Sequence, residues 1–107
     1  MTNSQMIYQL VLQFETDELV DYDRLVLLEE KLSSMVGGLA DVDGHDCGAG
    51  QMNIFILTAD PSEIFRLVKP TVLSADISTP VRAAYRKLDE EQFHVLWPPN
   101  LETFEVK

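Results

Sequence analysis

The chain has 107 residues, enough for one domain with a single core but too few for two lobes around a deep cleft. Its 18 acidic and 8 basic residues give a net charge of −10, which disfavours nucleic acid and anionic membranes as partners. The single cysteine excludes an intrachain disulfide, and the lack of a signal-like start or a long apolar run predicts a cytoplasmic protein.

The first half of the chain predicts a strand, a helix and two further strands. Residues 6–15 alternate with a period of two, which is typical of a strand with one face on a core. Leucines spaced by three and four then predict an amphipathic helix over 21–36, begun by a capping aspartate and ended by two glycines. A short strand at 39–45 and an apolar central strand at 51–58 follow, joined by a long polar loop over 43–50.

The second half predicts a helix and a hairpin. Asp60 is predicted to be the N-cap of a helix. A proline follows it directly and a glutamate lies three residues after it, which is typical of a capped helix start. Pro70 should kink that helix or start a new turn. Residues 81–88 and 93–97 predict paired strands, and residues 98–107 form a tail that either docks or frays.

This element order resembles the ferredoxin-like, split βαβ arrangement: an α+β domain over 1–107, β-α-β-β-α-β with an added C-terminal strand. The resemblance implies an antiparallel sheet with both helices on one face. The GHDCGAG hairpin, Gly44–Gly50, with a C-terminal hairpin is also similar to small uncharacterised bacterial proteins. Because this fold hosts many functions, no activity follows from it. The predicted core comprises Tyr8, Leu10, Leu12, Phe14, Leu25, Leu28, Leu32, Val42, Ile54, Ile56, Ile64, Leu67 and Val68.

The polar loop offers several interpretations. Its glycines suit a hairpin turn, and their spacing fits neither an EF-hand nor a dinucleotide-binding loop. Asp41, Asp43 and His45 lie two apart, so a continuing strand would point all three from one face, where they could hold a transition metal. Cys47 with His45 or His94 is a weaker candidate for a catalytic pair.

The combined pattern predicts a protein that is not an enzyme, needs no cofactor, and binds another protein or itself. The proposed contact surface is the sheet face without helices, which is expected to be open and mixed in polarity. A two-fold homodimer would place the apolar centre of this face against its copy. The predicted interaction face comprises Gln9, Val11, Gln13, Asn53, Phe55, Asp41 and Asp43.

Two alternatives remain. The first is a small-molecule- or metal-binding sensor or enzyme, which would use the Asp41–Cys47 hairpin or a cavity between sheet and helices. Polar contacts in that cavity would come from Tyr8, His45, Asn53, Tyr85 and His94. The second is an immunity- or antitoxin-like inhibitor, whose carboxylates would meet a basic partner.

Overall fold

A computed structural model describes residues 6–107, which form two helices and a five-stranded antiparallel sheet. The α+β class is therefore confirmed, and the strands lie in the order β2-β3-β1-β4-β5. Neither helix in this part of the chain is long and apolar enough to cross a bilayer. The bounds are β1 Tyr8–Phe14, α1 Leu19–Val36, β2 Ala40–Gly48, β3 Gln51–Thr58, α2 Pro61–Leu73, β4 Val81–Lys87 and β5 His94–Trp97, with a 3-10 turn at Gly37–Leu39.

One face of the sheet packs against both helices and forms the core. Alternate residues of β1 and β3, such as Leu12 and Ile54, are fully buried there, as the period-two pattern predicted. The prediction that Leu67 is buried is wrong: it is 40% exposed, while Phe65 is 6% exposed. The reason is that Phe65 shares the helical stripe of the other buried α2 residues, and Leu67 lies off it. Tyr8 and Val42, also predicted to be core, are only half-buried.

Helix α2 begins where its capping signal placed it. The Glu63 amide donates to Asp60 Oδ1 at 3.1 Å, and Pro61 occupies the first turn. The helix then continues through Pro70 to Leu73 rather than restarting at the proline. Because proline has no N–H, Pro70 cannot donate to the carbonyl of Arg66, four residues earlier. Both residues are exposed, so this carbonyl lies on the solvent side of the helix.

Helix α1 begins at Leu19, earlier than predicted, and Asp21 is not its cap but a fully buried residue of its first turn. The Thr16 hydroxyl donates to Asp21 Oδ2 at 2.7 Å, the Ser78 amide donates to Oδ1 at 2.9 Å, and the Ser78 hydroxyl donates to Oδ2 as well. The hydrogen bonds from Ser78 and Thr16 lower the pKa of Asp21 below its ordinary value, more than burial raises it. The carboxylate thus ties the start of α1 to the loop before β4.

The polar loop between β2 and β3 is much shorter than predicted. Strand β2 runs through to Gly48, and only Ala49 and Gly50 form the turn, with φ of 52° and 76°. Two successive positive φ values are the mark of the two-residue hairpin turns that match strand twist. A bulge between Val42 and Gly44 interrupts the register of β2.

Candidate functional site

The proposed metal constellation on β2 is not formed. The bulge shifts the alternation of β2, so His45 pairs with Ile54 and faces the helices, whereas Asp41 pairs with Leu57 and faces the opposite side. Asp43 lies at the bulge itself. The expectation that Asp41, Asp43 and His45 share one face is therefore wrong. Among residues 6–107, no three His, Cys, Asp or Glu side chains are grouped to hold a metal ion.

His45 instead joins α1 to β2. Its Nδ1 lies 2.9 Å from Glu29 Oε1, and its Nε2 lies 3.2 Å from the Tyr22 hydroxyl. Partial burial, together with the carboxylates of Asp46 and Glu29, raises the pKa of the nearby Cys47 thiol. The two ring nitrogens of His45 face Glu29 and Tyr22 of α1, so the geometry is that of a polar cross-link between α1 and β2.

The five side chains predicted to line one pocket are dispersed. Tyr8, Tyr85 and His94 do form an aromatic cluster, with ring centroids 5.8 Å apart for the two tyrosines and 5.2 Å apart for Tyr85 and His94. His45, however, lies on β2 at the other edge of the sheet, and Asn53 points from the opposite face. The predicted pocket is therefore wrong, because strand order separates its members.

The sheet face opposite the helices, here called the far face, is built in cross-strand rows. On β1, Gln13 lies between Asn53 of β3 and Arg82 of β4. Two residues earlier on β1, Val11 lies between Phe55 and Ala84 on the same two strands. Gln13 Nε2 donates to Asn53 Oδ1 at 3.0 Å, and Arg82 donates to Gln13 Oε1 at 2.7 Å. A connected polar row thus lies beside an apolar row in the middle of the sheet.

The far face is not open as expected. Val11 and Gln13 are fully buried and Asn53 is 2% exposed, while Gln9 and Phe55 are half-buried. Of the predicted interaction face, only Asp41 and Asp43, on β2 at its edge, are exposed. The physical reason is that the C-terminal segment, residues 98–107, here called the strap, docks on this face through residues 104–107 instead of fraying.

The strap is held through its main chain. The carbonyl of Glu105 accepts from Gln13 Nε2 at 3.0 Å and from Gln51 Nε2 at 3.3 Å. The Lys107 amide donates to Gln51 Oε1 at 3.0 Å. Phe104 packs against Phe93 with ring centroids 5.1 Å apart. The buried side-chain amide of Gln51 therefore binds the main chain of the strap in the way that a neighbouring strand would. It donates to the carbonyl of Glu105 and accepts from the amide of Lys107, two residues further on.

A groove of about 660 Å³ continues from the end of the strap, with Phe55 and Val106 in its lining. Its charged wall is the β4–β5 turn, which Arg86 organises by donating to the carbonyls of Lys87, Leu88 and Glu90 at 3.3, 3.2 and 2.9 Å. The Nε of Arg86 also donates to Gln9 Oε1 at 3.0 Å. The groove is thus a pre-formed extension of the surface that the strap covers.

Sequence reasoning missed Gln51 and Arg82, and it left the docking of the strap open as one of two alternatives. The available signal was the glutamines of β1, since a polar amide in the middle of a central strand needs a partner above the sheet. Comparison of the chain with protein-family models, curated proteins and solved structures gave no match. The function is therefore argued from the geometry of the far face.

Proposed function

We propose that the protein is a non-catalytic interaction domain that binds an extended peptide segment across the far face. In the free chain its own strap occupies that site. The observation that carries the proposal is the pairing of the buried Gln13 and Gln51 amides with main-chain atoms of Glu105 and Lys107. Amides that bind a main chain are suited to segments of varied sequence.

The side chains of the strap define what a partner segment must offer. Phe104 and Val106 point inward and are half-buried, whereas Glu105 and Lys107 point outward and are exposed. This alternation is that of an extended chain with one side on a surface. The class of ligand is therefore an extended peptide with apolar side chains two residues apart and an unconstrained residue between them.

The strap must compete with any such ligand. A tethered segment reaches a local concentration in the millimolar range when the linker is short. An external peptide is therefore expected to bind weakly to the wild type and more tightly once the strap is weakened, because the strap no longer masks the site.

The test uses the full-length Phe104→Asp variant, in which the aromatic anchor of the strap is lost, and a synthetic peptide of residues 98–107. Calorimetry should show saturable one-to-one binding, at least tenfold tighter than to the wild type. Adding Gln51→Ala to the receptor removes two hydrogen bonds with the main chain of the peptide. Two modest hydrogen bonds contribute about 1.4 kcal/mol, so binding should weaken roughly tenfold.

A peptide carrying Val106→Asp is the matched ligand control and should bind more weakly than the native peptide. Circular dichroism establishes that each receptor variant is folded. If folded Phe104→Asp protein binds the native and control peptides equally, or binds neither, the far face is not a peptide site.

We also propose that the architecture is of the ferredoxin-like type, extended by β5. Support comes from the element order and from the central position of β1, which pairs antiparallel with both β3 and β4. Strand β5 then adds to the outer edge of β4. An experimental structure with a different order of these strands would overturn the assignment.

A further inference from the structure

We infer that the peptide taken in trans is the strap of a second copy, so that two chains exchange straps and each completes the far face of the other. This inference rests on the proposed function. The strap is the one segment whose fit to the far face is seen directly, and the contacts it makes in cis are the contacts it would make in trans. Exchange of an identical element is a low-cost route to a dimer for this reason.

The connection to the strap suits exchange. Strand β5 ends at Trp97, and Pro98 and Pro99 follow at once. Proline restricts the backbone, so this junction is a stiff pivot rather than a loose linker. Beyond it, three side-chain to main-chain hydrogen bonds anchor the strap near its end, at Glu105 and Lys107. A few bonds at one end can be released without unfolding the domain.

Other routes to self-association are blocked at the sheet edges. The outer edge strand β2 carries exposed Asp41, Asp43 and Asp46 and is interrupted by its bulge. Charges and bulges are the devices by which edge strands avoid pairing with copies. The other edge strand, β5, has only 4 residues. Pairing of sheet edges is therefore disfavoured as a route that competes with exchange of the strap.

Charge should control the exchange. Each chain carries a net charge of −10, so two copies repel at low salt. Locally, Arg82 on the far face already pairs with Glu15 at 2.8 Å, while Glu102 and Glu105 of the strap are exposed to solvent. Raising the ionic strength mainly removes the long-range repulsion, so the dimer should become more abundant as salt rises.

The first experiment measures the mass of the wild type by light scattering from micromolar to millimolar concentration at low and high salt. The mass should rise from the chain mass of 12.1 kDa toward twice that value, and further at high salt. The second uses the exposed single Cys47 for donor and acceptor labels. Folded Gln51→Ala chains, with a damaged face, are mixed with folded Phe104→Asp chains, with a damaged strap.

Energy transfer is expected for the mixed pair, in which the strap of the Gln51→Ala chain binds the intact face of the Phe104→Asp chain while the second, doubly damaged site stays open. It should be at least several-fold lower for either variant mixed with itself. A wild type that stays at one chain mass under every condition overturns the exchange. Equal energy transfer in the mixed sample and in the two samples of a single variant also overturns the exchange. If the synthetic peptide still binds Phe104→Asp in either case, the peptide site stands and only the identity of its partner is wrong.

Discussion

Gln13→Ala should lower the free energy of unfolding by roughly 3 kcal/mol, because Gln13 is the shared hydrogen-bond partner of Asn53, Arg82 and the strap. Losing a partner leaves each buried polar group unsatisfied, at a cost of about 1–3 kcal/mol. Gln13 is fully buried and makes all three contacts at 3.0 Å or less. Urea denaturation followed by circular dichroism measures the loss.

The matched control is Gln9→Ala on the same strand and the same face. Gln9 is half-buried and accepts one hydrogen bond, from Arg86 at 3.0 Å. Its loss should cost about 1 kcal/mol. Equal effects of the two substitutions would mean that the polar row around Gln13 is not a connected network.

Asp21→Ala should lower the free energy of unfolding by about 3 kcal/mol at neutral pH, since it removes an ionised acceptor of hydrogen bonds from Ser78 and Thr16 and leaves the buried Thr16 hydroxyl without that partner. Hydrogen bonds from Ser78 and Thr16 depress the pKa of Asp21 in the folded state. A depressed carboxyl pKa stabilises the fold above the unfolded-state value, about 3.9, and that stabilisation is lost as pH falls through the folded-state value.

The difference between wild type and Asp21→Ala should therefore shrink as the pH is lowered below about 4. Denaturation curves collected from neutral to acidic pH measure it. Asp23→Ala is the control, because Asp23 is exposed on the same helix and its substitution should change stability by about 0.5 kcal/mol or less. A difference that stays constant with pH would contradict an ionised, hydrogen-bonded Asp21.

Elements with a strong local signal could be predicted from the sequence. The cap at Asp60 and the placing of Leu10, Leu12 and Phe14 of β1 in the core are local properties, and both occur as expected, whereas the second face of β1, expected to be wet, is buried as well. Phe65 is buried in place of Leu67 because of the way in which α2 is rotated about its own axis against the sheet. That rotation depends on how the helix packs and is not a local property of the sequence. The shift of His45 to the helix side follows from a one-residue bulge at Gly44, whose φ is 131°; the glycine permits a bulge or a loop there, but does not decide between them.

The candidate site could not be predicted because its parts are far apart in the chain. Gln13 meets Glu105 across 92 residues, and Gln51 meets Lys107 across 56. The apolar Leu101 and Phe104 of the strap indicated that it could dock, but the sequence did not indicate the surface, since the hydrogen bonds that place it are made by main-chain atoms. The face itself was identified from the alternation of β1, but its occupant was not.

Hydrogen exchange at the Lys107 amide tests the central claim most directly. In the structure this amide donates to the buried side chain of Gln51 in the same chain at 3.0 Å, and the inferred exchange of straps would preserve this contact between two copies. We expect its exchange, measured by NMR, to be markedly slower than in an unstructured peptide and to reach the unprotected rate in Gln51→Ala. An amide that exchanges at the unprotected rate in the wild type would show that the strap does not occupy the far face.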